Sequence, residues 1–370
     1  MREARPDELA DWDARTVDTP GGHVYQSRAW AEHRRVSGWQ PRFLVADDGG
    51  AVLALTRPWP LVGGGSAYLP RGPVAAKGTI DAAALAGRLV QASGVLADDG
   101  IDVVAADPEV PAADAAFRDA ILRAGFHPID ELQPSRHRVS LPLAPGADEA
   151  VVFDDVAKST RQRIRAAERD GVNVTRHDTR LGRDGVGDGF VAPAEPISVA
   201  LDRFYDLLLE TGERLHFSFG PRAGFVAWWT AAHAAGHLIL LEAWPTDAPI
   251  NEGPVAGLVL YRHGDRLSTV HSGDHASTRK ARPGALHLLR WRAIQLAIRE
   301  GRAEMDLGGV DVAGARGEPR EGDPLYGLYQ HKRAFGGRWL ELTGAHERVF
   351  DARGYRVGRL AGRASRLLRR

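Results

Sequence analysis

This chain of 370 residues contains no cysteine, which excludes disulfide bonds, thiolate nucleophiles and cysteine-ligated zinc sites. Long apolar runs are also absent. No stretch approaches the roughly 18 consecutive apolar residues of a membrane-spanning helix, and the first residues lack the apolar segment of a signal peptide. We therefore expect a cytoplasmic protein.

Lysine is rare in this chain. Of the 48 basic residues only four are lysines, namely Lys77, Lys158, Lys280 and Lys332. Arginine fills nearly every other basic position, so a position that keeps lysine is a candidate for needing a compact ammonium group rather than a planar guanidinium. Lys332 is the first candidate, because it lies among aromatic residues just before Gly336–Gly337. A lysine on a solvated helix face would explain the same observation.

The composition is that of a folded globular protein, with 44% hydrophobic and 26% charged residues and enough length for two domains. The formal net charge of zero gives no general attraction to polyanions. The C-terminal segment differs, because arginines recur there among apolar residues. These residues are Arg353, Arg356, Val357, Arg359, Leu360, Arg363, Arg366, Leu367, Leu368, Arg369 and Arg370. Their spacing predicts a basic amphipathic helix that contacts phosphates of RNA or of a membrane surface, or else a solvated helix.

The first half of the chain reads as an alternation of helices and strands. A helix near residues 27–36 precedes a hairpin whose turn is Asp47–Gly50, and a third strand follows. An apolar stripe predicts a helix over residues 82–96, and a buried strand comes directly after Gly100. A strand near residues 137–143 ends this half.

The second half repeats the same order. A helix over residues 201–213, a hairpin and a third strand are followed by a helix over residues 285–299, which Gly301 ends before the next strand. The repetition predicts a duplicated α/β unit with mixed sheets. The predicted domains are residues 1–145, completed by residues 338–370, and residues 146–337.

One predicted helix carries a row of positive charge at four-residue spacing. Its members are Lys158, Arg161, Arg165 and Arg169. Such a row suits a phosphodiester backbone, here assigned to tRNA, or a diphosphate. A surface helix with internal ion pairs is the alternative, although Glu168 is the only acid within residues 158–169.

Six motifs occur in a characteristic order. They are QSRAWAEHRRVSGW (26–39), YLPRGPV (68–74), AADPE (105–109), KSTRQRIRAAERDGV (158–172), LLRWRAI followed by MDLGGV (288–294 and 305–310), and GLYQHKRAFGG (327–337). Together they resemble the FemABX family of aminoacyl-tRNA-dependent peptidyltransferases, which build peptidoglycan interpeptide bridges. The resemblance covers most of the chain and implies an α/β protein of two tandem GNAT-like domains. The chain resembles the family members that lack a coiled-coil arm, because residues 171–201 are too short and too rich in Gly and Pro for two long helices.

The resemblance implies a catalytic group of three residues. Lys332 matches the family lysine at the reacting carbonyl, where a fixed cation stabilises the developing oxyanion and the N–H groups near Gly336–Gly337 assist. Asp107 matches an acidic residue that faces the groove between the domains, and His331 stands where the family has an aromatic residue. Asp107, His331 and the tRNA ribose all remain open as acceptors of the proton from the attacking amine.

The resemblance also implies substrate contacts. Arg34 matches a basic residue that binds the diphosphate of the peptidoglycan precursor, and Arg214 matches a second phosphate ligand. Arg71 lies in the loop that matches PRGP. His271 stands near a family tyrosine, and Tyr329 of the last motif is assigned to substrate binding. Histidine at positions 271 and 331 indicates a divergent substrate pocket.

The implied reaction moves an amino acid from aminoacyl-tRNA to the stem-peptide amine of a UDP-linked or lipid-linked muramyl pentapeptide precursor. Aminoacyl-tRNA is the co-substrate, no other cofactor is expected, and the basic tail would contact the inner face of the membrane. No metal site is expected, because His233 and His237 lack an evident third ligand. The alternatives are an acyl-CoA-dependent N-acyltransferase, for which residues 279–287 match the pyrophosphate loop only weakly, and a non-enzymatic RNA- or membrane-binding module.

Overall fold

The computed structural model describes residues 1–74, 81–133, 136–180, 189–215, 218–246, 253–277, 283–310 and 317–367. The chain divides into two units. The first unit comprises residues 1–137, 263–265 and 340–370, and the second comprises residues 138–262 and 266–339. Each unit is built around a seven-stranded sheet, so the predicted α/β class with mixed sheets is confirmed.

The first sheet is antiparallel except for one parallel pair. Its strands are β1 (Arg2–Glu3), β2 (Gln40–Val45), β3 (Ala51–Pro58), β4 (Gly65–Leu69), β5 (Val103–Ala106), β6 (His127–Pro128) and β14 (His346–Val349), in the spatial order β1-β2-β3-β4-β5-β14-β6. The predicted hairpin is β2–β3, and β4 pairs antiparallel with β3. Strands β4 and β5 are parallel, so a helix must connect them.

The first unit has six helices in its described residues, and several of them begin at a capping side chain. They are α1 (Pro6–Ala10), α2 (Trp12–Thr16), α3 (Arg28–Val36), α4 (Ala82–Asp98), α5 (Ala115–Arg123) and α12 (Ala352–Leu367), with a 3₁₀ turn at Val24–Gln26. Ser27 begins α3 by accepting a hydrogen bond at 3.0 Å from the N–H of Trp30, and Asp81 begins α4 in the same way. The predicted apolar stripe of α4 is buried in the core of this unit.

The second sheet repeats the arrangement of the first. Its strands are β7 (His137–Pro142), β8 (Val172–His177), β9 (Leu238–Pro245), β10 (Ala256–His263), β11 (Arg266–Asp274), β12 (Glu304–Asp306) and β13 (Arg338–Glu341), in the spatial order β13-β7-β12-β11-β10-β9-β8. Here the parallel pair is β11–β12. The predicted hairpin is β9–β10, but most of its turn lies outside the described residues.

Strand β7 differs from the sequence-based assignment to the first half. It pairs antiparallel with β12 in the second sheet, with Leu141 opposite Met305. The side chains of Val139 and Leu141 are buried in the core of the second unit. Alternation of buried and less buried residues along a strand identifies its inner face but not its partner, so the sequence could not assign this strand to a sheet.

The second unit has six helices in its described residues, and one of them, α10, is nearly buried. They are α6 (Glu149–Asp155), α7 (Lys158–Arg169), α8 (Ile197–Leu215), α9 (Arg222–Ala234), α10 (Ala285–Arg299) and α11 (Tyr326–Arg333). Helix α10 packs against α7 and against strands of the second sheet. Residues on all its sides are therefore buried, whereas Leu286 and Ile298, which the apolar stripe places inward, are only partly buried.

Helix α12 is the predicted C-terminal basic helix. Two glycines one turn apart, Gly354 and Gly358, lie against Asp102 and the ring of Trp59, so a Cβ at either glycine would clash. The apolar side chains of Val357 and Leu360 are exposed, and the final three residues of the chain lie outside the described part. In the described ranges, no helix is both long enough and apolar enough to cross a membrane.

Two residues of α5 test the core of the first unit. Phe117 is fully buried, whereas Leu122 on the same helix is 41% exposed. We expect Phe117→Ala to lower the free energy of unfolding of this unit by about 3–5 kcal/mol because it leaves a cavity. Leu122→Ala should change it by less than about 0.5 kcal/mol. Hydrogen exchange of the β4 and β5 amides measures both effects, and equal protection in the two variants would contradict the assigned core.

Candidate active site

Lys332 lies in the last turn of α11 and is only 5% exposed. Its Nζ donates a hydrogen bond to the carbonyl oxygen of Gly309 at 2.5 Å. Gly308, which follows β12, has a φ of +80°, and a Cβ at this position would lie 3.2 Å from the Lys332 Nζ and 2.7 Å from the carbonyl oxygen of Thr269. Only glycine fits there, and its absence of a side chain lets the ammonium approach the backbone. The ammonium is thus held at a fixed place just after the end of β12 and beside Thr269 in the middle of β11.

The glycine pair after α11 has a structural role. The N–H of Gly336 donates to the carbonyl of Arg333 at 2.9 Å and closes the helix, so it is not available to a reacting oxyanion as the sequence analysis expected. A Cβ on Gly337 would lie 2.5 Å from Val139 and 2.9 Å from Leu307, so this glycine allows close packing.

His331 lies beside Lys332 on α11, partly exposed. Its ring meets that of His287 edge to face with centroids 4.6 Å apart and also lies against Phe335. Burial lowers the pKa of His331 to about 2, and the neighbouring charges of Arg290 and Lys332 add to this effect. An imidazole with so low a pKa is a poor proton acceptor near neutral pH. In this arrangement His331 is therefore disfavoured as the general base.

Asp107 and Arg71 come together in the first unit. Asp107 follows β5, is 1% exposed, and accepts hydrogen bonds from the Tyr68 hydroxyl at 2.9 Å and from the Arg71 N–H at 2.8 Å. The guanidinium of Arg71 also lies 3.7 Å from this carboxylate and 3.9 Å from Glu109. Burial raises the pKa of Asp107, and Arg71 partly offsets the increase. Because Arg71 has a φ of +52°, these bonds hold a strained loop in place.

Arg34 of the first unit lies near two tryptophan rings. Its guanidinium lies 5.4 Å from the ring centre of Trp30 and 5.7 Å from that of Trp39. Its Nε is buried and has no hydrogen-bond partner among the described residues. Burial and the charge of Arg57 both lower the pKa of Arg34, so the nearby cation adds repulsion. A positive charge in such surroundings is compatible with the anionic ligand that the resemblance implies for Arg34.

Two predicted substrate contacts of the second unit, Arg214 and His271, are already engaged with other side chains. Arg214 already forms an ion pair with Asp274 at 2.8 Å, so much of its charge is neutralised. His271 lies among the rings of Phe219, Phe225 and Trp229, with centroid distances of 5.6–5.8 Å. Burial lowers the pKa of His271 to about 4, so it is neutral near pH 7.

Tyr329 belongs to the core of the second unit. It is 1% exposed, packs edge-on against Trp339 and donates its hydroxyl hydrogen to Glu318. Burial, followed by Glu318, raises its pKa to about 12. These contacts support a packing role rather than the predicted substrate contact.

The predicted basic row on α7 is only partly available to a ligand. Lys158, Arg165 and Arg169 are exposed, and Arg165 lies over the ring of Phe153. Arg161 instead donates to backbone carbonyls at the end of α6, including that of Val156 at 2.9 Å. Three of the four predicted cations thus face solvent.

Sequence reasoning missed a second cationic cluster in the second unit. His287 and Arg290 lie three residues apart on α10, and Arg163 of α7 reaches His287 with Nη1 3.4 Å from Nε2. The sequence signal was an arginine within the apolar pattern of α10. Because this helix is buried on several sides, no single stripe set Arg290 apart.

The described residues include no group of three or more histidine or acidic side chains arranged to hold a metal ion.

Comparison with known proteins agrees with this architecture. Residues 155–333 match the acetyltransferase (GNAT) domain family, and nearly all of them lie in the second unit. This match identifies the second unit as an acyltransferase domain. Among curated proteins, no sequence matches the chain significantly.

Solved structures extend the likeness to both units. FemX is similar with a TM-score of 0.75 at 18% identity, over 96% of this chain and 99% of FemX. A conserved protein of unknown function from Bacteroides thetaiotaomicron has a TM-score of 0.54 at 14% identity, over 94% and 97%. L-PGS from Bacillus licheniformis has a TM-score of 0.50 at 11% identity, over 98% of both chains. These matches confirm the predicted tandem GNAT-like fold and the resemblance to the FemABX family.

The depressed pKa of His331 predicts how stability depends on pH. An unfolded chain protonates this histidine near pH 6.5, whereas the folded chain does so only at about pH 2. Unfolding at pH 5 therefore takes up about one proton here, and the free energy of unfolding falls as the pH decreases below about 6.5. His331→Phe should reduce this dependence between pH 7 and 5, measured by denaturant unfolding at several pH values. An unchanged slope would show that His331 titrates normally.

Proposed function

We propose that this protein is an aminoacyltransferase that moves an amino acid from aminoacyl-tRNA to an amine of a peptidoglycan precursor. The observation that carries the proposal is the buried Lys332 ammonium, which a backbone turn holds in the acyltransferase domain. Its position in the motif that resembles the FemABX family supports the role. FemX and L-PGS, whose folds this chain shares, add support for aminoacyl transfer.

The proposed chemistry requires no covalent enzyme intermediate. The amine nitrogen attacks the ester carbonyl carbon, a C–N bond forms, the ester C–O bond breaks, and the ribose oxygen leaves with a proton. Negative charge develops on the carbonyl oxygen, where the Lys332 ammonium stabilises it. Burial strengthens this interaction because little water is present to screen it.

The attacking amine must lose a proton, and two observations bear on which group accepts it. His331 has a pKa of about 2 and is disfavoured near neutral pH. The carboxylate of Asp107 is occupied by Tyr68 and by Arg71, which it holds in a strained loop. We therefore assign the proton to the ribose hydroxyl of the leaving tRNA, with Asp107 as a positioning residue for the loop that contains Arg71.

The acceptor substrate is assigned to the first unit through Arg34. Its guanidinium lies against Trp30 and Trp39 with an unsatisfied Nε, and the side chain of Arg57 lies near the same ring of Trp39. Two neighbouring cations suit a diphosphate, which carries more than one negative charge. The diphosphate of a UDP-linked or lipid-linked muramyl peptide has this chemistry. The exposed cations of α7 are assigned to the tRNA backbone, with no further cofactor.

An acyl-CoA-dependent transferase is the second candidate, because the matched family is one of acetyltransferases. In such enzymes the start of the helix corresponding to α10 binds pyrophosphate. Here Gly284 at that position packs so closely on the Arg163 carbonyl that a Cβ would clash. Residues 279–282 of the weakly matching loop lie outside the described residues, so the ranking depends on Lys332 and its motif, and we place the aminoacyl-tRNA reaction first.

Replacement of the proposed catalytic ammonium tests the function. Lys332→Met should lower the rate of amino acid transfer by about 100- to 1,000-fold, because it removes a preorganised charge at the oxyanion. Transfer of a labelled amino acid from charged tRNA to the precursor measures the rate. Arg333→Met is the matched control, because Arg333 is the next residue on α11 and its side chain is 53% exposed. Equal rates for Lys332→Met and the wild type would refute the assignment.

A separate variant tests the acceptor site. Arg34→Met should weaken precursor binding by about 10- to 100-fold, because a charge-assisted contact is lost, while the affinity for charged tRNA stays the same. Isothermal titration calorimetry with each ligand measures both. Arg35→Met is the control, since Arg35 is exposed and paired with Glu32 on the same helix. Unchanged precursor affinity in Arg34→Met would remove Arg34 from the site.

A further inference from the structure

Arg290 is a buried cation for which the described part of the chain provides no acidic partner. It is 3% exposed on α10, and its Nε and Nη1 atoms have no hydrogen-bond partner among the described residues. Its Nη2 makes one long contact, at 3.4 Å, with the hydroxyl of Ser272 on β11. Burial of a charge without compensation destabilises a folded protein. An arginine at this position therefore suggests a function that outweighs the loss of stability.

The groups around Arg290 are also basic. His287 lies one turn before it on α10, His331 of α11 meets His287 edge to face at 4.6 Å, and Arg163 of α7 approaches His287 at 3.4 Å. Burial lowers the pKa of Arg290 to about 10, and no acidic group offsets that effect. The pKa of His287 falls to about 4 through burial, with Arg163 and Arg290 adding to the decrease. Three helices and a strand thus converge on a positive region.

This region has an edge that reaches solvent. Ser272 and His331 are partly exposed and Arg163 is exposed, whereas His287 and Arg290 are buried. An anionic group that entered at this edge would meet a hydroxyl, imidazole rings and a guanidinium, which is the donor set that suits a phosphate. A bound anion would also compensate the buried charge.

We propose that Arg290, His287 and Arg163 bind a phosphate group of the acyl donor. The identity of the donor rests on the proposed function. His331 links the cluster to Lys332, its neighbour on α11, so the phosphate would lie close to the reacting ester. In aminoacyl-tRNA the ester and the phosphate nearest to it are carried by the same terminal ribose. In an acyl-CoA donor the corresponding group would be the pyrophosphate.

The test compares donor fragments in binding experiments that need no turnover. One arm uses an RNA minihelix ending in CCA and the same minihelix ending in CC, which lacks the terminal adenosine and its phosphate. The other arm uses coenzyme A and pantetheine. Inorganic phosphate serves as the minimal probe. We expect the wild type to bind one phosphate-bearing donor fragment more tightly than its truncated partner.

Arg290→Met should remove that difference by weakening binding of the longer fragment by about 10- to 100-fold. The free variant should melt at the same temperature as the wild type or about 3 °C or more higher, because an uncompensated buried charge is replaced by an apolar side chain of similar length. Arg292→Met is the control, because Arg292 is on the same helix and paired with Glu168 at 3.0 Å. It should leave binding unchanged.

Two results would overturn the proposal. One is equal binding by the wild type and Arg290→Met in both arms. The other is a lower melting temperature for Arg290→Met, since this would show that the guanidinium stabilises the fold. Arg290→Lys provides a second variant that keeps the charge, and it should fold normally while binding more weakly than the wild type. Because binding is measured without transfer, failure of aminoacyl transfer alone would contradict only the proposed function.

Discussion

The close approach of the Thr269 backbone and the Lys332 side chain to Gly308 fixes the position of one ammonium group in the second unit. A side chain at this glycine would collide with the carbonyl of Thr269 on β11 and crowd the ammonium of Lys332. Parallel pairing of β11 with β12 places Thr269 near the turn, and the left-handed conformation of Gly308 turns the chain there. The Lys332 ammonium then donates a hydrogen bond to the carbonyl oxygen of Gly309, the residue after Gly308. A rare lysine thus becomes a fixed charge because of backbone geometry.

The two proposed anion-binding sites share one feature, which is a cation without a carboxylate partner among the described residues. Most arginines of this chain with described contacts have ordinary ion pairs, such as Arg262 with Asp178 and Glu300. Among the described residues, neither Arg34 in the first unit nor Arg290 in the second has such a partner, and Arg290 is buried whereas Arg34 is partly buried. A cation that is withdrawn from water without a paired carboxylate is unusual, and such exceptions are expected where a ligand supplies the missing charge. The two positions therefore suit the anionic groups of two different substrates.

Local patterns in the sequence predicted the elements well because they depend on local chemistry. The turn at Asp47–Gly50, the cap at Ser27 and the apolar stripe of α4 each involve residues close in the chain. Pairing between segments that are far apart in the sequence was harder to predict. The pattern of β7 gave no indication that it pairs with β12, because alternation does not encode the neighbouring strand. Arg290 was missed for a similar reason, since its burial arises only when α7, α11 and β11 pack around α10.

The account rests on the claim that the second unit directs a fixed ammonium at an aminoacyl ester. The most direct measurement incubates the protein with a pool of charged tRNA and, separately, the UDP-linked and lipid-linked precursors, and then weighs each precursor by mass spectrometry. The account predicts that one precursor gains the mass of a single aminoacyl residue or more, and that digestion of the tRNA beforehand prevents the gain. No change in either precursor, together with acyl transfer from acetyl-CoA to an amine, would contradict it.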